Sequence, residues 1–280
     1  MGEAVTIARM GPEDLALALD WAAAEGWNPG LDDGRAFLAA DPHGFFTARV
    51  GGRPVAAISV VNHGPGDAFL GLYICHPDLR GQGIGLRLWR EALEHAGDRS
   101  VGLDGVPAQE ANYERSGFVR VGASLRHEGR VEGRRTAGLR RAGATDVAAL
   151  VALDGAANGY ARAAFLGEWV APREGLRETI VMERDGEIAG FATWRACRAG
   201  TKIGPVIAPD TGAALALIGE IAAQRPEGPL IIDLPEANTA LRGELERAGF
   251  QVPFATARMF RGRVPRTGPD LQAIGTMELG

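Results

Sequence analysis

The residues best suited to chemistry are Arg80-Gly81-Gln82-Gly83-Ile84-Gly85. Alternating glycines let a ligand approach the backbone closely. The loop joins an apolar stretch, Phe69–Cys75, to an amphipathic one from about Gly83 to Ala96. It therefore reads as the turn between a buried strand and a helix. The first N–H groups of a helix lack internal partners and carry the positive end of its dipole, so the loop is an anion site, most naturally for phosphate. Arg80 adds a charge-assisted contact or shapes the loop. The Gly-Lys-Ser/Thr ending of a P-loop is absent. A dinucleotide fingerprint fails as well, because the glycines are spaced by two, residue 86 is Leu, and the loop follows a hairpin rather than a first strand.

The elements that must hold this loop alternate between strand and helix. Val5–Ala8 is a short strand. Pro12-Glu13-Asp14 opens a helix that runs to about Ala24, since proline suits the first turn and acids favour the positive end. A second helix is expected around Asp32–Ala40. Gly44–Val50 and Pro54–Val61 form a hairpin across Gly51-Gly52-Arg53. After the loop and its helix come a strand at Val101-Gly102-Leu103, a helix at Ala108–Arg115 ended by Gly117, and a last strand at Phe118–Val121. The fold class is α/β of mixed type: a mostly antiparallel sheet flanked by helices.

The chain repeats itself. Arg9-Met10-Gly11-Pro12-Glu13-Asp14-Leu15 matches Arg141-Ala142-Gly143-Ala144-Thr145-Asp146-Val147, Pro77-Asp78 matches Pro209-Asp210, and Glu114-Arg115-Ser116-Gly117-Phe118 matches Glu246-Arg247-Ala248-Gly249-Phe250. The shifts 141 − 9, 209 − 77 and 250 − 118 are each 132. Three anchors at one shift argue for a duplicated domain. A polar, Gly-rich boundary near residues 128–138 divides the chain into domains at 1–128 and 136–280.

Arg80-x-x-Gly83-x-Gly85 resembles the Gln/Arg-x-x-Gly-x-Gly/Ala motif of the GNAT acetyltransferases. Asn112-Tyr113-Glu114-Arg115-Ser116-Gly117-Phe118 resembles the family's Asn…Gly-Phe segment. The likeness covers about the first 125 residues, and the second half resembles the accessory domain of tandem bacterial GNAT proteins. The resemblance implies acetyl-CoA as co-substrate and no metal. The backbone amides of Gln82–Leu86 would bind its pyrophosphate, with Arg80 and Gly81 at the loop entrance and Ile84 opening the helix. Tyr73, Ile74 and Cys75 would lie along the pantetheine, on a strand that parts from its neighbour and polarises the thioester carbonyl. Tyr113 stands where the family's tyrosine protonates the departing thiolate; packing on the sheet is the alternative. Asn112 is a cofactor contact or a helix cap.

An attacking amine must lose a proton. Asp104, just past the strand at Val101-Gly102-Leu103, ranks first as base and Glu25 second, with His76 a further candidate. Asp104-Gly105 is equally a turn, Glu25 a helix-end charge and His76 a solvated loop residue. Trp27, in the loop Glu25–Gly30, forms an acceptor wall or packs helices. Cys75 reads as a small buried residue, not a nucleophile.

At a shift of 132, Arg80–Gly85 meets Gly212-Ala213-Ala214-Leu215-Ala216-Leu217, and Tyr113 meets Leu245. Leu215 would project a side chain where the pyrophosphate approaches, so one cofactor site per chain is expected. Arg195, Lys202, Asp233 and Asn238 lie near strand ends of the second half. They either reach a shared cleft or, for the most part, are ordinary surface groups.

With 280 residues, 46% of them hydrophobic, the chain has material for a sizeable core. A net charge of −5 without a Lys/Arg run leaves no footprint for nucleic acid. Cys75 and Cys197 stand apart without metal or redox spacing, which suggests a reducing cytoplasm. Neither a signal peptide nor a membrane span is legible. The reading is an N-acetyltransferase acting on a small-molecule amine, with homodimerisation left open. A non-enzymatic acyl-CoA-binding or regulatory protein is the alternative, and a nucleotide-binding module a weaker third.

Overall fold

The computed structural model describes residues 4–280. The first half runs β1 (Val5–Arg9), α1 (Pro12–Ala24), α2 (Asp33–Ala40), β2 (Phe45–Val50), β3 (Arg53–Asn62), β4 (Asp67–Cys75), α3 (Ile84–Leu93), β5 (Ser100–Gly105), α4 (Glu110–Arg115) and β6 (Val119–Gly129). The second half repeats that order: β7 (Leu139–Arg141), α5 (Val147–Asn158), α6 (Ala163–Trp169), β8 (Arg177–Arg184), β9 (Glu187–Ala196), β10 (Thr201–Ile207), α7 (Thr211–Gln224), β11 (Leu230–Pro235), α8 (Thr239–Arg247) and β12 (Gln251–Arg261). A further strand, β13 (Leu271–Ala273), follows. No helix among the described residues is long and apolar enough to cross a membrane.

The repeat survives at atomic detail. The Gly11 amide donates to Asp14 ahead of α1, and the Gly143 amide donates to Asp146 ahead of α5. Gly117 (φ 86°) and Gly249 (φ 89°) close α4 and α8 in the left-handed region. The next amide then reaches back into the helix, Phe118 to Tyr113 at 3.1 Å and Phe250 to Leu245 at 3.0 Å, a Schellman-type ending that turns each phenylalanine into the core.

All strands join one sheet in the order β1-β2-β3-β4-β5-β12-β6-β11-β10-β9-β8-β7, with β13 paired to β10. The final strands of the two halves have changed places. β12 pairs with β5 of the first half, β6 pairs with β11 of the second, and the two pair with each other. Ser124 lies opposite Thr256. These positions are 132 apart, so the pseudo-twofold relating the halves passes between them.

Flanking that axis are two matched ion pairs. Arg258 of β12 grips Asp104 of β5 through Nε (2.9 Å) and a terminal nitrogen (2.6 Å). Arg126 of β6 grips Asp233 of β11 through Nε (2.8 Å) and a terminal nitrogen (3.1 Å). Each arginine faces its aspartate in strand register and fastens the exchanged strand to its host.

The exchange corrects one expectation. The strand expected at Phe118–Val121 continues to Gly129, and Glu128-Gly129 lie in the ladder beside Leu230 and Ile231. Its outer residues are charged, so local sequence reads as linker, and only partners from the other half supply its hydrogen bonds. The polar residues of the second half are corrected too. Arg195, Lys202 and Asp233 are buried, and Asn238 is half-buried, accepting from the Leu241 amide to cap α8. Arg195 bonds Asp33 and the Gly275 carbonyl, while Lys202 donates to the Trp27 carbonyl at 3.0 Å.

Three apolar clusters fill the layers. α3 and α4 cover one face of the first half through Leu88, Trp89, Tyr113 and Phe118. α7 and α8 cover the matching face of the second through Leu217, Ile218, Leu241 and Phe250. Between the halves, Leu15 and Phe37 pack with Phe165, Trp169 and Phe191. Phe37 and Trp169 stack with centroids 6.2 Å apart.

Burial opposes ionisation of Asp233, but Arg126 and Lys202 outweigh it and hold the carboxyl down at about 2. A depressed carboxyl contributes stability that is present above its unfolded value of 3.8 and lost as pH falls toward about 2. Arg126→Ala, which strands a buried carboxylate, should lower stability by about 3–5 kcal/mol in urea denaturation at pH 7. The gap from wild type should narrow as pH drops through that window.

Candidate active site

The site begins where β4 leaves β5. These strands are parallel neighbours from Asp67↔Ser100 to Leu70↔Leu103 and then part. On the other side, β4 pairs with β3 through Gly71↔Ser59 and Ile74↔Ala57, with an irregularity between them. Leu72 and Tyr73 therefore oppose Ile58 alone, and Leu72 takes a positive φ of 47°. This bulge bends β4 and leaves the β5-facing backbone of Gly71–Cys75 without a ladder.

Past β4, the glycine loop delivers the chain to α3. Gly83 caps the helix at φ 80° and Gly81 lies at φ 76°, both in the left-handed region, and nothing lies within 4 Å of where a Cβ would stand at either. Among the described residues no side chain caps α3, so its first amides are open to a ligand. Gly85 is glycine for a different reason: a Cβ there would lie 2.8 Å from the Tyr73 hydroxyl. Arg80 shapes the loop rather than projecting from it. Its Nε donates to the Cys75 carbonyl (2.9 Å), and a terminal nitrogen pairs with Glu25 (2.6 Å). Gln82 donates to the Asp78 carbonyl at 3.2 Å.

A groove of about 480 Å³ follows these residues, from Glu25 and Trp27 along Tyr73–Cys75 to Gly83 and Leu86. Tyr73 and Leu86 also line a wider cleft of about 820 Å³ that passes Arg90, Asn112 and Arg115. Asn112 donates to Gln109 and accepts from Arg115 at that cleft's edge. Cys75 is half-buried, and burial pushes its thiol up.

Inward from the groove, sharing Trp27, Tyr73 and Val106 with it, lies a cavity of about 60 Å³. Leu70–Tyr73, Leu103 and Asp104 form one side. The second half supplies Phe254, Thr256, Met277 and Glu278, and Arg126 arrives on the exchanged strand β6. Tyr113 lines both this cavity and the outer cleft. It stacks on Trp89 at 5.4 Å, and a Cβ at Gly105 would run into its ring. Burial, with Tyr73 nearby, raises the Tyr113 hydroxyl well above its ordinary value. Burial and then Cys75 push Tyr73 up to about 12. Both phenols are protonated at neutral pH.

The three candidate bases are placed unequally. Asp104 reaches the cavity, but both its oxygens bond Arg258, and Ser124 (2.9 Å) and Thr256 (3.2 Å) add hydrogen bonds. Its counterpart Asp233 makes the same bidentate pair in the half without a glycine loop, which makes strand fastening the common purpose. Glu25 stands in the outer groove on Arg80. His76 is solvated, with Asp78 at 3.7 Å. Sequence reasoning missed Arg126, Phe254, Thr256, Met277 and Glu278. Only the arginine carried a signal, since Arg126 and Arg258 are themselves 132 apart.

The second half closes its own version of this cleft. Asp210 caps α7, accepting from the Ala213 amide at 2.7 Å, which puts a carboxylate where the first half leaves amides open. β10 and β11 pair as far as Ile203↔Ile232, and β13 then enters between them. The Ile274 amide donates to the Asp233 carbonyl at 3.0 Å, and a Cβ at Gly204 would run into the Ile274 carbonyl.

A bulged, parted strand beside an uncapped helix on a duplicated mixed sheet defines the GNAT acyltransferase class, and the chain belongs to that family. A sequence model of the acetyltransferase (GNAT) family matches residues 15–118, and one of an acetyltransferase (GNAT) domain matches residues 150–272. The chain is 35% identical to holothin acyltransferase from Pseudoalteromonas sp. (strain SANK 73390) over 274 residues, which cover 96% of this chain and 92% of that one. It is 30% identical over 102 residues to the uncharacterized N-acetyltransferase YitH of Bacillus subtilis (strain 168), covering 36% of each chain. Among solved structures, an acetyltransferase of Pyrococcus horikoshii superposes with a TM-score of 0.83 at 20% identity, covering 99% of this chain and 96% of that one. A tandem GNAT protein from the clavulanic acid biosynthesis pathway gives a TM-score of 0.60 at 16% identity, covering 95% and 100%. The protein is a tandem-domain GNAT acyltransferase and an enzyme.

Gly105→Ala should destabilise the protein by about 1–3 kcal/mol in urea denaturation, because its methyl group and the Tyr113 ring compete for one space.

Proposed function

We propose that the protein transfers an acetyl group from acetyl-CoA to the primary amine of a small molecule, with a single cofactor site in the first half. One observation carries the reading. The first half offers a parted strand next to an uncapped helix, and in the second half Asp210 and β13 fill both equivalents. The amides of Gln82–Leu86 would hold the pyrophosphate, with Arg80, Gly81 and Glu25 fixing the loop. The free edge of Tyr73–Cys75 would lie along the pantetheine, its N–H groups aimed at the thioester oxygen as it gains charge. Tyr113, kept protonated by burial, would give its proton to the leaving thiolate.

The acceptor enters from the other side of the parted strands. The cavity there is small and walled by Trp27, Tyr113, Phe254 and Met277. That lining suits a compact amine with an apolar body. Since the relative matched along nearly the whole chain acts on holothin, holothin is the first acceptor to try. Two unpaired thiols fit a cytoplasmic setting.

Calorimetric titration with acetyl-CoA should give one site per chain; two sites, or none, would overturn the assignment. Gly83→Asp, which adds bulk and negative charge where the pyrophosphate approaches, should abolish that binding. Tyr113→Phe should bind acetyl-CoA as wild type does while kcat falls about 10²-fold or more. Unchanged turnover would remove the tyrosine from the mechanism.

A further inference from the structure

We propose that Glu278 is the base that takes the proton from the attacking amine. The inference deepens the reading above and rests on it. Four carboxylates stand close enough to the parted strands to be considered. Asp104 has both oxygens on Arg258, and Asp233 has both on Arg126 with Lys202 at 4.0 Å. Glu25 is on Arg80 in the outer groove. An arginine gripping both oxygens leaves a carboxylate a poor acceptor for a further proton. Glu278 is different. It lines the inner cavity, is 3% exposed, and makes no ion pair among the described residues; one oxygen bonds the Thr276 hydroxyl.

Its position is set by the backbone. A Cβ at Gly71 would run into the Glu278 carbonyl, so the two main chains are packed in contact. Gly71 is the first residue of β4 beyond the last rung with β5. The segment that closes the second half's cleft with β13 thus continues to the first half's open one and places a carboxylate in it. Around Glu278 stand Arg126 on β6, Lys202 on β10 and Asp233 on β11, with Asp104 on β5, Arg258 on β12, and Tyr73 and Tyr113 across the cavity. The charges of Arg126 and Lys202 both feel Glu278.

The step balances. The amine lone pair forms a C–N bond at the thioester carbon, and the nitrogen's proton passes to the Glu278 carboxylate. The C–S bond breaks with its electron pair on sulfur, which takes the Tyr113 proton. Glu278 then returns a proton to the tyrosinate through solvent, leaving amide and free coenzyme A.

The test uses the full chain with acetyl-CoA and holothin, and follows coenzyme A release with and without holothin, so that slow hydrolysis is read as well. Glu278→Gln should bind acetyl-CoA within about twofold of wild type and lose roughly 10²–10⁴-fold in kcat. The acidic limb of kcat against pH, present in wild type, should disappear with it, and Glu278→Asp should recover part of the rate and the limb. If Glu278→Gln does not fold, Thr276→Val takes its place. Without the hydroxyl that stabilises the carboxylate, its acidic limb should move to higher pH. Wild-type kcat and an unmoved limb in these variants, with wild type active, would overturn the inference and leave the function standing. A wild type that binds no acetyl-CoA, or binds it and neither acetylates holothin nor releases coenzyme A, would overturn both.

Discussion

The structure depends on the exchange of β6 and β12 and on the two arginine–aspartate pairs that fasten it. A strand inserted into a foreign sheet must find register from both neighbours. A slip of one residue would turn every side chain to the opposite face. Arg126 opposite Asp233 and Arg258 opposite Asp104 forbid that slip, because it would leave buried charges unpaired. Such pairs add little net stability after desolvation, so their value lies in specifying one alignment. With Ser124 opposite Thr256 at the axis, the repeat fits itself as a homodimer would, within one chain.

From this symmetric frame the chain builds an asymmetric site. In the first half, Leu72 bends β4 away from β5 and two left-handed glycines leave α3 without a cap. In the second, Asp210 satisfies the α7 amide and β13 fills the gap between β10 and β11. An open helix N-terminus attracts an anion, and a capped one beside a carboxylate repels it. The duplicate therefore keeps the scaffold and closes the gap that the first half leaves open. Its closing segment is put to use at the other site, where Met277 and Glu278 complete the cavity wall.

The exchange also settles what each charged residue does. Asp104 has the position expected of a base, at the end of β5 and facing the cavity, yet Arg258 binds it on both oxygens. Lys202 and Arg195, residue types usually found in solvent, are interior groups because the sheet runs through both halves without an edge between them. The helices α2 and α6, which pack where the halves meet, bring Asp33 and Trp169 to Arg195 and so neutralise a charge that no local neighbour could satisfy.

The sequence by itself determined whatever depends on near neighbours. Pro12 with Glu13 and Asp14 starts a helix, Gly117-Phe118 and Gly249-Phe250 end two, and the glycines around Gln82 expose amides at the head of α3. These are rules of φ, capping and dipole acting over a few residues, and the 132-residue repeat stated them twice. Only the tertiary structure decided which half owns β6, that Asp104 is a fastening and not a free carboxylate, and that Glu278 stands beside Gly71. Each of those facts requires a partner more than 100 residues away. No local pattern encodes such pairings, since strand order, charge pairing and the course of the last segment are fixed only when the two sheets close on each other.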